Sequence, residues 1–160
     1  PVSASVEKTK TTFKIDISTG DAMTPDAIEY EYKLMFENRS IALRSYNTET
    51  ALAEKLETIL SPALQTTRMR DFYDIYALME SGRDIDFALL GNALDATMTA
   101  RESITSLDRS DEVIGLLEES TMMEEHWGRY QAANPFAASA SWKAALLSLR
   151  KMAGAIKAAK

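Results

Sequence analysis

Apolar and polar residues alternate with a period of two along roughly the first 48 positions, then recur with a helical period of three to four. Phe13-Lys14-Ile15-Asp16-Ile17-Ser18 puts Phe13, Ile15 and Ile17 on one face of a predicted strand and Lys14, Asp16 and Ser18 on the other. Gly20-Asp21 breaks the run. Residues 28–34 alternate again, and residues 41–46 repeat the pattern across a polar connection at 37–40, which predicts a hairpin. Residues 2–8 are expected to add an edge strand.

The period changes at Thr48. Thr48 and Glu49 open a helix with an apolar stripe of Leu52, Leu56, Ile59 and Leu60, and Ser61-Pro62 closes it. A second helix starts near Thr67, turns Met69, Phe72, Tyr73, Tyr76 and Met79 inward, and ends at Ser81-Gly82. Helical periods follow over 86–100, 109–119, 120–132 and 139–157, the last two separated by Asn134-Pro135. The expected architecture is α+β: a small, mainly antiparallel sheet over residues 1–48, then a bundle of five or six helices over residues 49–160.

Composition narrows the chemistry. With 160 residues, 46% hydrophobic and 26% charged, the chain fits one globular domain or two small ones. It has no cysteine and one histidine, His126, which excludes disulfides, thiolate sites and multi-histidine zinc. Reactive groups must come from carboxylates, Lys, Arg, Ser/Thr and Tyr. No apolar run approaches the roughly 18 residues of a membrane span and residues 1–10 lack a signal-peptide core, so a cytoplasmic location is expected.

The net charge of −6 argues against coating nucleic acid through bulk charge, but its distribution is uneven. Residues 126–160 carry six Lys/Arg and no acid, whereas residues 102–125 carry eight acids against Arg109 alone. On the last helix, Lys143, Arg150 and Lys157 recur every seven residues opposite the stripe of Trp142, Leu146, Leu149, Ala153 and Ile156. The wheel turns this ridge to solvent or to an RNA or protein partner, and leaves Lys151 and the helix ends to meet the acidic segment.

The densest polar chemistry lies in 49–56 and 68–74. Lys55 falls three residues after Leu52 and four before Ile59, at the margin of the buried stripe. A lysine there snorkels to water, pairs with a carboxylate, or reaches an anionic ligand over the core edge. Asp71 and Asp74, three apart near a helix start, share one face and gain from the helix dipole. They suit a cation, a hydroxyl or Lys55 itself. A purely structural Lys–Asp tie is the competing reading, since ion pairs of this kind are common outside active sites. His126, beside Trp127 and Tyr130, reads as a packed helix residue.

The motifs Lys14-Ile-Asp-Ile-Ser18, Ala53-Glu54-Lys55-Leu56 and Arg68 to Asp74, with Trp127-Gly-Arg-Tyr130 and Asn134-Pro-Phe136 in the helical tail, resemble the AbiEii family. Its members are nucleotidyltransferase-like toxins of bacterial abortive-infection and toxin–antitoxin pairs, similar to the DNA polymerase β-type nucleotidyltransferases. The resemblance implies nucleotide transfer from a nucleoside triphosphate, with Mg²⁺, to an RNA end or a protein hydroxyl, and an antitoxin as protein partner. It implies Asp16 as the strand carboxylate beside the metal-binding pair, Lys55 as the triphosphate-contacting lysine, and Asp71 or Asp74 as the aspartate that follows. Arg68 and Arg70 join Lys55 as candidate nucleotide-binding cations.

The pattern departs from the family at its front. The Gly-Gly or Gly-Ser turn and the Asp-x-Asp pair should precede Lys14, and residues 1–13 hold neither. Such a turn approaches phosphates through backbone N–H groups, and the pair places two carboxylates on one strand face to hold Mg²⁺. Asp84-Ile85-Asp86 has the right letters, but its place before a helix predicts a cap. The chain therefore reads as a C-terminal portion of such an enzyme, or a degenerate relative. The alternative is a non-catalytic module in which the same residues tie sheet to bundle and the helices dock an antitoxin-like protein.

Overall fold

A computed structural model describes residues 2–15, 17, 19–61 and 67–160. Among the described residues four strands precede six α-helices: β1 (Val2–Val6), β2 (Thr9–Phe13), β3 (Ile28–Lys33), β4 (Ser40–Ser45), α1 (Thr48–Leu60), α2 (Met69–Glu80), α3 (Phe87–Ala100), α4 (Ser110–Glu119), α5 (Thr121–Ala133) and α6 (Trp142–Ala159). The class is α+β, as the change of period implies.

The strands form two separate antiparallel hairpins, β1–β2 and β3–β4. In the second, Tyr30 faces Leu43 and Tyr32 faces Ile41, so the apolar positions of the alternating pattern share one face. The first hairpin corrects the strand expected at 13–18. Val2 pairs with Phe13, so the β1 ladder is used up there, and Lys14 and Ile15 leave the strand. Alternation alone does not make a strand without a neighbouring backbone to bond. Ile15 and Ile17 are exposed, and Asp16 and Ser18 lie outside the described residues.

Helix starts follow local chemistry. The Asn47 side chain caps α1 by accepting from Thr50 N–H at 2.8 Å, and also donates to Thr24 C=O at 3.0 Å. The Thr50 hydroxyl donates to the same carbonyl, which joins the segment before β3 to the first turn of α1. Asp86 caps α3 through bonds from Ala88 and Leu89 N–H, so Asp84-Ile85-Asp86 is a helix start, as read. Asp86→Ala is expected to lower stability by about 1 kcal/mol in urea unfolding, leaving two N–H groups without their acceptor. Ser120 and Ser141 cap α5 and α6 in the same way.

The core lies between the helices. α1 packs on α3 and α2, and α6 runs against α2, α3 and α4. Leu52, Leu56, Ile59 and Leu60 are buried as the stripe predicts, and Phe72, Ile75, Leu94, Trp127, Leu149 and Ile156 complete the interior. Tyr73, Tyr76 and Met79 pack at its margin. Trp127 donates from Nε1 to Ala140 C=O at 2.9 Å, and its ring lies 5.7 Å from Trp142. His126 stands partly buried on α5, consistent with packing.

Two of the three cations of the basic ridge are paired. Arg150 binds Glu118 at 2.9 Å and Lys157 binds Asp111 at 2.8 Å, both acids on α4. α4 lies close enough along α6 for long side chains at the edge of the wheel to bend over to it. Lys151, expected to reach the acidic segment, instead lies 3.9 Å from Glu80 on α2. Lys143 is exposed.

Candidate functional site

Lys55 projects from α1 toward the start of α2. Its Nζ lies 2.9 Å from Asp71 Oδ1 and 2.7 Å from Asp74 Oδ2. The sequence spacing allows this clasp once α1 packs on α2. One turn of α2 separates the two aspartates, so their carboxylates converge on one cation. Asp71 is buried, and the Lys55 side chain is 23% exposed, at the margin its wheel position gave.

Two arginines flank the clasp. Arg68 Nε lies 3.1 Å from Asp71 Oδ2, and Arg70 Nε 3.7 Å from Asp74 Oδ2. Both side chains are largely exposed, so these are rim contacts of small energetic value. Burial alone would make the Lys55 ammonium easier to deprotonate, but its hydrogen bonds to Asp74 and Asp71 outweigh that and raise it above the ordinary lysine value. A raised folded-state value stabilises the fold below the unfolded lysine pKa, about 10.4, and that contribution is lost as pH rises through the folded value. The melting temperature is therefore expected to fall on alkaline titration beyond this point. In Lys55→Met that part of the fall should be missing.

A cavity of about 180 Å³ opens beside the clasp, lined by Tyr46, Glu54, Lys55, Thr58, Arg68, Asp71 and Arg101, with Ala51 at its wall. Burial raises the Glu54 carboxyl above its ordinary value, although Arg101 opposes the shift. Sequence reasoning passed over Arg101. It ends α3 as a single arginine outside any motif, and only the packing of α3 on α1 brings it to Lys55.

The structure thus brings together Lys55, Asp71, Asp74, Arg68 and Arg70, while Asp16 lies outside the described residues. Among the described residues no group of three or more His, Asp or Glu side chains is arranged to hold a metal ion. One oxygen of Asp71 and one of Asp74 are taken by the Lys55 ammonium. The described side chains therefore do not fit a Mg²⁺ site.

Residues 2–148 match the family model described as nucleotidyl transferase AbiEii toxin, type IV TA system. The chain belongs to the AbiEii family. No curated protein and no solved structure matches it. AbiEii membership makes this a nucleotidyltransferase-type toxin fold whose counterpart in a type IV pair is an antitoxin. Among the described residues no helix is long and apolar enough to cross a membrane.

Proposed function

We propose that the chain serves nucleotidyl transfer, with Lys55 as the cation that orients the triphosphate of a nucleoside triphosphate. In the reaction an acceptor hydroxyl attacks the α-phosphorus. A new oxygen–phosphorus bond forms, the hydroxyl proton passes to solvent, the bond from the α-phosphorus to the bridging oxygen breaks, and pyrophosphate leaves. Little of this requires covalent work by the protein, so positioning and charge stabilisation carry the rate.

The observation that supports the reading is the fixed position of Lys55. Two carboxylates hold its Nζ within 2.9 Å at the edge of a cavity that Arg68 also lines, in a chain of a nucleotidyltransferase-type family. Asp71 and Asp74 then act as positioning residues that keep the ammonium protonated and aimed. Arg68 and Arg70 at the rim attract the anion. The acceptor is an RNA 3′ end or a protein hydroxyl.

Incubating the protein with α-labelled nucleoside triphosphates, Mg²⁺, total RNA and cell protein tests this. Label is expected on RNA ends or on protein. If the protein transfers no label, yet binds an antitoxin-like protein through its helices, the docking-module reading stands instead.

A further inference from the structure

We propose that Arg101 is a further cation of the triphosphate site, its guanidinium held at the cavity beside Lys55 by the buried carboxylate of Glu57. The inference rests on the nucleotide-binding reading above and adds to it a residue from a third helix.

Arg101 Nη1 donates to Glu57 Oε2 at 2.6 Å and to Thr58 Oγ1 at 3.2 Å. Nη2 lies 4.0 Å from Glu54 Oε2, too far for a hydrogen bond. A guanidinium carries five N–H donors in a planar fork. Among the described residues the side-chain hydrogen bonds of Arg101 all start at Nη1, and Nη2 faces the Glu54 carboxylate across 4.0 Å, a long ion pair that a phosphate would share. Arg101 lines the same cavity as Lys55 and Arg68. Planar paired donors match phosphate oxygens in a way that a lysine ammonium does not.

The end of α3 is built to hold this position. Glu57 is 4% exposed, and while one of its oxygens binds Arg101 the other accepts the Ser103 hydroxyl. A single buried carboxylate therefore grips the residues on both sides of Glu102. Glu102 has φ of 49°, a left-handed conformation uncommon for a residue with a side chain. The Ser103 N–H bonds to Met98 C=O at 2.9 Å and closes the turn. Local strain of this kind persists where surrounding contacts over-determine the backbone, and here those contacts also aim Arg101. A polyphosphate laid across the cavity would touch α1 through Lys55, the start of α2 through Arg68, and the end of α3 through Arg101. The liquid-water share of about 30 Å³ per molecule puts several waters in a space of this size, and they would be displaced by phosphoryl oxygens.

Calorimetric titration of sodium tripolyphosphate into the 160-residue chain tests the assignment. The wild type is expected to saturate, Arg101→Met to bind at least tenfold more weakly, and Arg101→Lys to fall between them because it keeps charge but loses the fork. Glu57→Gln keeps the volume but releases the guanidinium, and is expected to weaken binding with Arg101 still present. Arg101→Met strips a partner from a buried carboxylate, so the double variant Glu57→Gln/Arg101→Met is titrated beside it, with cooperative melting as the check on folding. Wild-type affinity in the folded double variant, with binding lost in Lys55→Met, would overturn the role of Arg101 and leave the nucleotide reading intact. No binding by the wild type would overturn both.

Discussion

Lys55→Ala is expected to lower nucleotide transfer by roughly 10²- to 10³-fold per folded molecule, the usual cost of removing one group that stabilises developing charge. Stability changes too. The position at the stripe's margin means that truncation opens little cavity, but Asp71 is buried and among the described residues would keep only Arg68 as its ionic partner. Leaving a buried acceptor short of its donor costs about 1–3 kcal/mol. Activity must therefore be normalised to folded protein. Lys55→Arg is a useful companion, since it keeps the charge and changes the reach. If Lys55→Ala melts much earlier while transfer per folded molecule is unchanged, Lys55 is a tie between α1 and α2 and nothing more.

Trp127→Ala is expected to have the largest effect on folding, about 3–5 kcal/mol in urea denaturation. The indole is 1% exposed, its N–H bonds to Ala140 C=O at 2.9 Å, and its ring contacts Tyr130 and Trp142. Removing it opens a hole where α5 meets the loop leading into α6. Ala140 C=O also accepts from Gln131 Nε2 at 2.9 Å, so the cost is mainly lost packing. Trp127→Phe should lose much less, because a ring still fills most of the space. A change below about 1 kcal/mol for the alanine variant would show that α5 is not part of the cooperative core.

Much of this arrangement can be read from residue types and spacing. The helices follow from apolar stripes bounded by Asn, Asp, Ser and Gly, and the clasp follows from two facts: Lys55 at the edge of one stripe and Asp71 and Asp74 one turn apart on the next helix. What cannot be read is which elements lie side by side. Period two extends through Ile17, but β1 offers Phe13 its last partner, so the strand stops earlier than its pattern. The basic ridge sits on the predicted side of α6, yet α4 passes close enough for Glu118 and Asp111 to take two of its charges. Arg101 has no local signal because its importance is wholly tertiary. It depends on α3 crossing α1 so that Glu57 and Arg101 meet, 44 positions apart.

The most direct test of the central claim is a calorimetric titration of ATP into the 160-residue chain and into Lys55→Met, at low and moderate salt, with a melting curve for each protein. The account predicts saturable binding by the wild type that weakens as salt screens the cations, and at least tenfold weaker binding by a variant that still melts cooperatively. Equal ATP affinity in both proteins, with Lys55→Met melting at a lower temperature, would contradict it and assign Lys55 to the fold alone.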